Sequence, residues 1–89
     1  MAKVIVYSKA NCPYCTWAKQ LLNNKAISYE EIRVDLNTDK RIEMERLSGR
    51  RSVPQIVING QPIGGFDDLS ALEKSGELNT LLNKQGNES

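Results

Sequence analysis

Ser8-Lys9-Ala10-Asn11-Cys12-Pro13-Tyr14-Cys15 holds both cysteines of an 89-residue chain. Upstream of it, Val4-Ile5-Val6-Tyr7 is β-branched and aromatic and too short for a helix, so it reads as a buried central strand. Downstream, Trp17, Ala18, Leu21 and Leu22 recur at three- and four-residue spacing, with Lys19, Gln20, Asn23 and Asn24 between them. That period predicts an amphipathic helix beginning at Pro13, a residue suited to the first helical position because the N–H it lacks would be unpaired there anyway. Lys9-Ala10-Asn11 makes the connection, and Cys12 is expected at or just before the helix N-terminus.

Outward from this stretch, Ile27 to Asp35 alternates well enough for a half-buried strand, with Tyr29, Ile32 and Val34 as inward residues and one imperfect step. Strand, helix, strand is a βαβ unit, which implies parallel pairing and a right-handed crossover. Asn37-Thr38-Asp39 offers capping side chains for a second helix through about Leu47, and Gly49 is a natural stop. Gln55-Ile56-Val57-Ile58 and Gln61-Pro62-Ile63-Gly64 flank Asn59-Gly60, a strong hairpin signal, and Pro62 marks the second strand as an edge. After the tight passage Gly64-Gly65, Asp67 is expected to cap a third helix from Asp68 to Ser75, with Leu69, Ala71 and Leu72 inward and Gly76 ending it. Leu78, Leu81 and Leu82 would add one further helical turn. The fold class is α/β, a four-stranded mixed sheet (βαβ then ββα) flanked by helices. One domain is expected over 1–84, with 85–89 a frayed polar tail.

Charged residues make up 26% of the chain and nearly cancel to +1, which argues against bulk attraction to nucleic acid or an anionic membrane. Met1-Ala2-Lys3 leads directly into the first strand with no secretory pattern, and no apolar run approaches membrane-spanning length, so a cytoplasmic location is expected. Two cysteines cannot build a secreted disulfide scaffold; a close pair in a reducing compartment reads as catalytic or metal-binding. A closed zinc site needs four ligands, and this chain has no histidine and no second cysteine pair, so no resident metal is expected. The lack of histidine also removes Cys–His acid–base arrangements.

The pair must therefore obtain its thiolate from its surroundings. A free cysteine has a pKa of about 8.5, and a helix N-terminus presents unpaired N–H groups and about half a positive charge, both of which favour an anionic sulfur on Cys12. Lys9 could add a full charge. Cys15 lies roughly one helical turn inside, close enough to pair with Cys12 yet more shielded. The expectation is asymmetric: Cys12 attacks and Cys15 resolves. Pro13 stiffens the turn, Tyr14 stands exposed beside the sulfur, and Trp17 packs partly on the core. The competing reading is a pair of inert buried cysteines; the strand-to-helix context favours the redox one.

Cys12-Pro13-Tyr14-Cys15 after a strand, Ser52-Val53-Pro54 before a hairpin and Gly64-Gly65-Phe66-Asp67-Asp68 before the last long helix together resemble the glutaredoxin family, in its compact bacterial dithiol form, from Lys3 to about Leu82. The resemblance implies a thioredoxin fold and a glutathione-dependent thiol–disulfide oxidoreductase, with glutathione as reductant and co-substrate. It further implies a cis Pro54, pairing of the Val53 backbone with the glutathionyl cysteine, and a site that includes Tyr14 and Ser52. The N–H groups of Asp67 and Asp68 would bind the γ-glutamyl carboxylate and the Asp68 side chain the amine, while Lys9 and Arg41 would meet the glycine carboxylate. Arg50 and Arg51 add charge beside the cleft without an assigned role. Ser52 stands where many relatives carry threonine, and Trp17 follows the pair, whereas thioredoxins carry a tryptophan just before it. The implied partners are glutathione and glutathionylated or disulfide-containing proteins, met by a monomer. The alternative is a carrier dimer in which Cys12 of two chains and two glutathione molecules hold an iron–sulfur cluster, a habit chiefly of relatives with a small residue in place of Pro13.

Overall fold

Cys12 ends one kind of structure and begins another. In the computed structural model, which describes residues 2–84, strand β1 runs Val4–Ser8 and helix α1 Pro13–Asn24. Cys12 is the N-cap of α1, extended at φ −121° and ψ 100°, and its Sγ accepts a hydrogen bond from the Cys15 N–H. Pro13 occupies the first turn, where no N–H is needed. The helix closes by a paired C-terminal motif: the Ala26 N–H donates to the Asn23 carbonyl (3.0 Å) and the Ile27 N–H to the Leu22 carbonyl (2.9 Å). That closure places Ala26 in the left-handed region at φ 57°, where its Cβ crowds the backbone.

The remaining elements are β2 (Glu30–Arg33), α2 (Thr38–Ser48), β3 (Gln55–Ile58), β4 (Gln61–Gly64), α3 (Phe66–Ser75) and α4 (Glu77–Lys84). The sheet order is β2-β1-β3-β4, with β1 parallel to β2 and antiparallel to β3, and β3 antiparallel to β4. This is the mixed four-stranded sheet of a thioredoxin fold, with β1 central and β4, which carries Pro62, at an edge. Asn59 (φ 52°) and Gly60 (φ 82°) both have positive φ, as the two central residues of a type I′ hairpin turn require.

Three expectations change. The second strand is shorter than Ile27–Asp35, because Ile27 is committed to closing α1 and only Glu30–Arg33 pairs with β1. Its imperfect step also has a cause: Tyr29 packs with the layer under α1, whereas Ile32 and Val34 pack with the layer under α2, so the segment feeds both faces of the sheet. Asp67 does not cap the third helix; α3 starts at Phe66 with Gly65 as N-cap, and Asp68 reaches back to accept the Gly65 N–H. Finally, Leu78, Leu81 and Leu82 lie on a separate helix, α4, rather than a single added turn. The expected frayed tail over 85–89 lies outside the described residues.

Two cores result. Val4, Val6, Ile56 and Ile58 of the sheet pack with Ala18 and Leu22 of α1, Leu69 of α3 and Leu78 of α4. On the other face Tyr7, Val57 and Val34 pack with Met44 of α2. Each fully buried Leu, Ile or Met contributes about 1.5–3 kcal/mol. Polar anchors bind the layers to the sheet. Tyr7, fully buried, donates to Glu43 Oε2 (2.6 Å); burial and then this carboxylate push the phenol's pKa up, so it stays a donor. Buried Ser8, at the end of β1, donates to Glu31 Oε2 (2.6 Å), which also pairs with Lys19 of α1 at 2.9 Å. Among the described residues, no helix is long and apolar enough to cross a membrane.

Two measurements follow from this scaffold. Ala26→Gly should raise stability by about 1 kcal/mol, since glycine adopts the left-handed conformation without the Cβ penalty; a thermal midpoint raised by about 4–8 °C checks it. Hydrogen bonds from Ser8 and then Lys19 hold Glu31 below its ordinary 4.5. A depressed carboxyl stabilises the fold above its unfolded pKa, and that contribution is lost as pH falls through the folded value. Ser8→Ala should therefore cost stability at pH 7, and the cost should shrink on acidification below 4.5, read from urea midpoints of both proteins at pH 7 and pH 3.

Candidate active site

The sulfur of Cys12 sits where the end of β1, the start of α1 and the loop before β3 converge. The Cys12 carbonyl accepts the first helical bond from the Thr16 N–H (3.1 Å) and a second bond from the Thr16 hydroxyl (3.3 Å), which fixes the residue's backbone. Its side chain is joined to Cys15 in a disulfide, with the Cα atoms 5.2 Å apart. Cys15 is 1% exposed, whereas Cys12 is partly open to solvent. An incoming thiol or disulfide therefore meets Cys12 first. The Cys15 N–H lies 3.2 Å from Cys12 Sγ, so on reduction a thiolate there retains a backbone donor and the positive end of α1.

Facing the sulfur is Ser52-Val53-Pro54. The Val53–Pro54 bond is cis, and the Val53 carbonyl oxygen lies 3.8 Å from Cys12 Sγ. The loop is held from beneath by Gln55, 1% exposed, whose Nε2 donates to the Ser52 carbonyl (3.0 Å) and hydroxyl (3.3 Å). Sequence reasoning missed this anchor; its signal was one amide at the head of the otherwise apolar run Gln55–Ile58.

Beside that loop, a cleft of about 180 Å³ is bounded by Tyr14, by Ser52–Pro54 and by the N-terminal turn of α3 from Gly65 to Asp68, with Arg50 at its edge. Asp68 Oδ2 accepts the Gly65 N–H (3.0 Å) and pairs with Arg50 Nη1 (3.3 Å). Gly64 makes this approach possible: its φ is +122°, and a Cβ there would overlap the Asp68 carboxylate. The Arg50–Asp68 pair is half-exposed on both sides and so contributes at most about 1 kcal/mol, weak enough to open for a ligand.

A second cleft of about 550 Å³ lies on the opposite flank of α1, where Lys9, Asn11, Cys12, Cys15, Thr16, Lys19 and Glu31 form a polar wall. Of the residues singled out from sequence, Tyr14, Ser52, Val53, Pro54, Asp67 and Asp68 meet in the first cleft, and Lys9 joins both cysteines in the second. Arg41 lines neither; it sits on α2 and pairs with Glu45 at 3.4 Å. Arg51 is likewise outside both. A further hollow of about 470 Å³ between β4, α3 and α4 contains no cysteine. Trp17 is 47% exposed and packs against Tyr14 and Phe66, of which Phe66 rests on the core.

Comparison with known proteins agrees with this geometry. The family model described as Glutaredoxin matches residues 4–63. Glutaredoxin 3 of Escherichia coli strain K12 is 52% identical over 82 residues, covering 92% of this chain and 99% of that protein. A glutaredoxin of Pseudomonas aeruginosa is 46% identical over 82 residues, covering 92% and 98%. Among solved structures, a buckwheat glutaredoxin–glutathione complex superposes with a TM-score of 0.83 at 30% identity, over 93% of this chain and 78% of that one. The solution structure of a Brucella melitensis glutaredoxin gives 0.81 at 45% identity, over 92% and 89%. With its dithiol at the head of α1 and a match this extensive, the chain belongs to the glutaredoxin family and is a thiol–disulfide oxidoreductase.

Proposed function

We propose that the chain is a glutathione-dependent oxidoreductase in which Cys12 attacks and Cys15 resolves. The observation that carries the reading is the juxtaposition of a half-open Cys12 sulfur, 3.8 Å from the Val53 carbonyl, with a small cleft ending at the N-terminus of α3. Glutathione is an extended tripeptide with a central cysteine, and an extended peptide can pair with an exposed backbone such as that of Val53. Its γ-glutamyl carboxylate would take the free N–H groups of Asp67 and Asp68, where the helix end favours an anion. Its amine would take the Asp68 carboxylate, displacing Arg50, which is then free to meet the γ-glutamyl carboxylate. Lys9, on the other side of Cys12, suits the glycine carboxylate. Arg41 would have to leave Glu45 to join it, so its part is the more remote one.

The chemistry balances as two exchanges. The Cys12 thiolate attacks the glutathionyl sulfur of a mixed disulfide; the old S–S bond breaks, and the substrate leaves as a thiolate that takes up a proton. A second glutathione, as thiolate, attacks the sulfur now bound to Cys12 and departs as glutathione disulfide, which regenerates the Cys12 thiolate. For a protein disulfide, Cys15 can displace the substrate from Cys12 instead, forming the internal disulfide, and two glutathione molecules then reduce it. Burial of Cys15 keeps it from competing for the first attack, while its position one turn away lets it perform the second. The working unit on this reading is a monomer in a reducing, cytoplasmic setting, with glutathione and glutathionylated or disulfide-bearing proteins as its partners.

Cys12→Ser should abolish turnover in a glutathione-coupled assay; wild-type rates from that variant would overturn the mechanism. Cys15→Ser should keep reduction of a glutathione mixed disulfide within about an order of magnitude while losing most protein-disulfide reduction, since only the second route needs it. Asp68→Asn preserves an acceptor for the Gly65 N–H but removes the charge facing the amine. It should raise KM for the glutathionyl substrate about fivefold, the weight of a half-exposed ion pair of about 1 kcal/mol, with kcat nearly unchanged.

A further inference from the structure

The two flanks of α1 beside the cysteines differ in character. Thr16 and Lys19 face the polar cleft with Lys9 and Glu31. Tyr14, Trp17 and Leu21, at i, i+3 and i+7, share the other flank. There Leu21 turns into the core, but Tyr14 is 53% exposed and Trp17 47% exposed. The two rings meet edge to face with centroids 5.0 Å apart, and Trp17 rests on Phe66 at 5.8 Å. Tyr14 and Phe66 line the small cleft in which glutathione is placed above, whereas Trp17 does not. An indole held open beyond the end of that cleft has no task in binding the tripeptide.

From this we infer that Trp17, backed by Tyr14 and Phe66, is a specificity surface for polypeptide disulfides, and that it receives an aromatic or large aliphatic side chain two residues from the substrate's reacting cysteine. The surface reaches the reacting sulfur through Tyr14, which lines the small cleft with Val53, whose carbonyl lies 3.8 Å from Cys12 Sγ, the atom that every disulfide-bearing substrate must touch on this reading. Its spacing sets the register. Trp17 is five residues beyond Cys12, a rise of about 7.5 Å along the helix. An extended substrate chain advances about 3.3 Å per residue, so it covers that distance in about two residues, and side chains two apart lie on one side of the strand. The chemistry of the occupant follows from the wall: half-exposed aromatic rings gain from apolar contact and from edge-to-face partners, and the charged side chains on this side, Arg50, Asp67 and Asp68, line the small cleft, which the indole does not. The inference rests on Cys12 as the attacking sulfur but not on glutathione as the reductant.

The test therefore uses stoichiometric exchange without glutathione. The reduced full chain carrying Cys15→Ser is mixed with symmetric disulfides of two short peptides that differ only in having Phe or Ala two residues from cysteine, on either side, and release of free peptide thiol is timed. The Phe peptide should react about three- to tenfold faster than its Ala counterpart with Phe on one side of the cysteine, the range expected of one aromatic contact. Trp17→Ser in the same background should bring the ratio close to one. Trp17 is the chain's one tryptophan, so in the trapped mixed disulfide its emission should shift with the Phe peptide and not with the Ala peptide. Equal rates for the two peptides, or a ratio that survives Trp17→Ser, would overturn the specificity surface while leaving the glutathione reading intact. No thiol release from either peptide would overturn Cys12 as the attacking sulfur and the surface with it. Failure only in the separate glutathione-coupled assay would count against the reductant alone.

Discussion

A single contact, the Cys15 N–H donating to the sulfur of Cys12 at 3.2 Å, joins the folding of α1 to its chemistry. Helix N-termini leave N–H groups that some side chain must satisfy, and the usual caps are oxygens. Here the capping atom is the sulfur. A cap bond to neutral sulfur is weak, and it strengthens once the sulfur is anionic. The helix start is therefore better satisfied in the reduced, ionised state than a neutral thiol would leave it. That matters in a chain with no histidine to act as a base. The same turn conceals Cys15 at 1% exposure, so access and the N–H cap both favour Cys12 as the sulfur that an incoming disulfide meets.

The opposing wall is held by an independent set of constraints. Gln55 anchors Ser52 from the interior, Gly64 supplies the conformation and the space that bring Asp68 onto the chain, and Asp68 in turn caps Gly65. These contacts come from β3, β4 and α3, while the cysteines come from β1 and α1. Pairing of β1 with β3 in the centre of the sheet is what sets the two walls against each other, since Tyr7, at the end of β1, is opposite Gln55, at the start of β3. The hydrogen bonds of buried Tyr7 to Glu43 and of buried Ser8 to Glu31 pin that same end of β1 to α2 and β2. The polar residues at the end of the central strand thus hold the ground on which both walls stand.

Much of this was legible in the sequence because each signal was local. The period of the α1 residues, Pro13 at its first turn, the Asn59-Gly60 hairpin and Gly49 after α2 each specify a backbone conformation within a few residues, and each was found where expected. What escaped depended on tertiary partners. Tyr29 and Ile32 could not be sorted to different layers without knowing that helices cover both faces of the sheet. Asp67 reads as a cap from its side chain alone; Gly65 took that place because Asp68, one turn on, supplies the acceptor from inside the helix. Arg41 fits the glycine carboxylate by resemblance alone, whereas its own helix supplies a closer partner, Glu45.

The site also contains a contrast that sequence motifs do not encode. A glutathionyl and a polypeptide disulfide would present the same S–S bond to Cys12, so discrimination between them would have to come from groups beyond the shared contact. In the binding mode proposed above, the charged wall with Lys9 and the α3 N-terminus would meet the two ends of a tripeptide that carries its charges at its termini. A longer chain brings no such termini near its cysteine and must be held by its side chains. Of the Tyr14–Trp17–Phe66 flank, Tyr14 and Phe66 line the cleft proposed for the tripeptide and only Trp17 lies outside it, so the inferred discrimination between the two classes falls to the indole. Substitution at Trp17 can therefore change which proteins are served without altering the exchange reaction, because the attacking sulfur is capped by the Cys15 N–H and not by the indole.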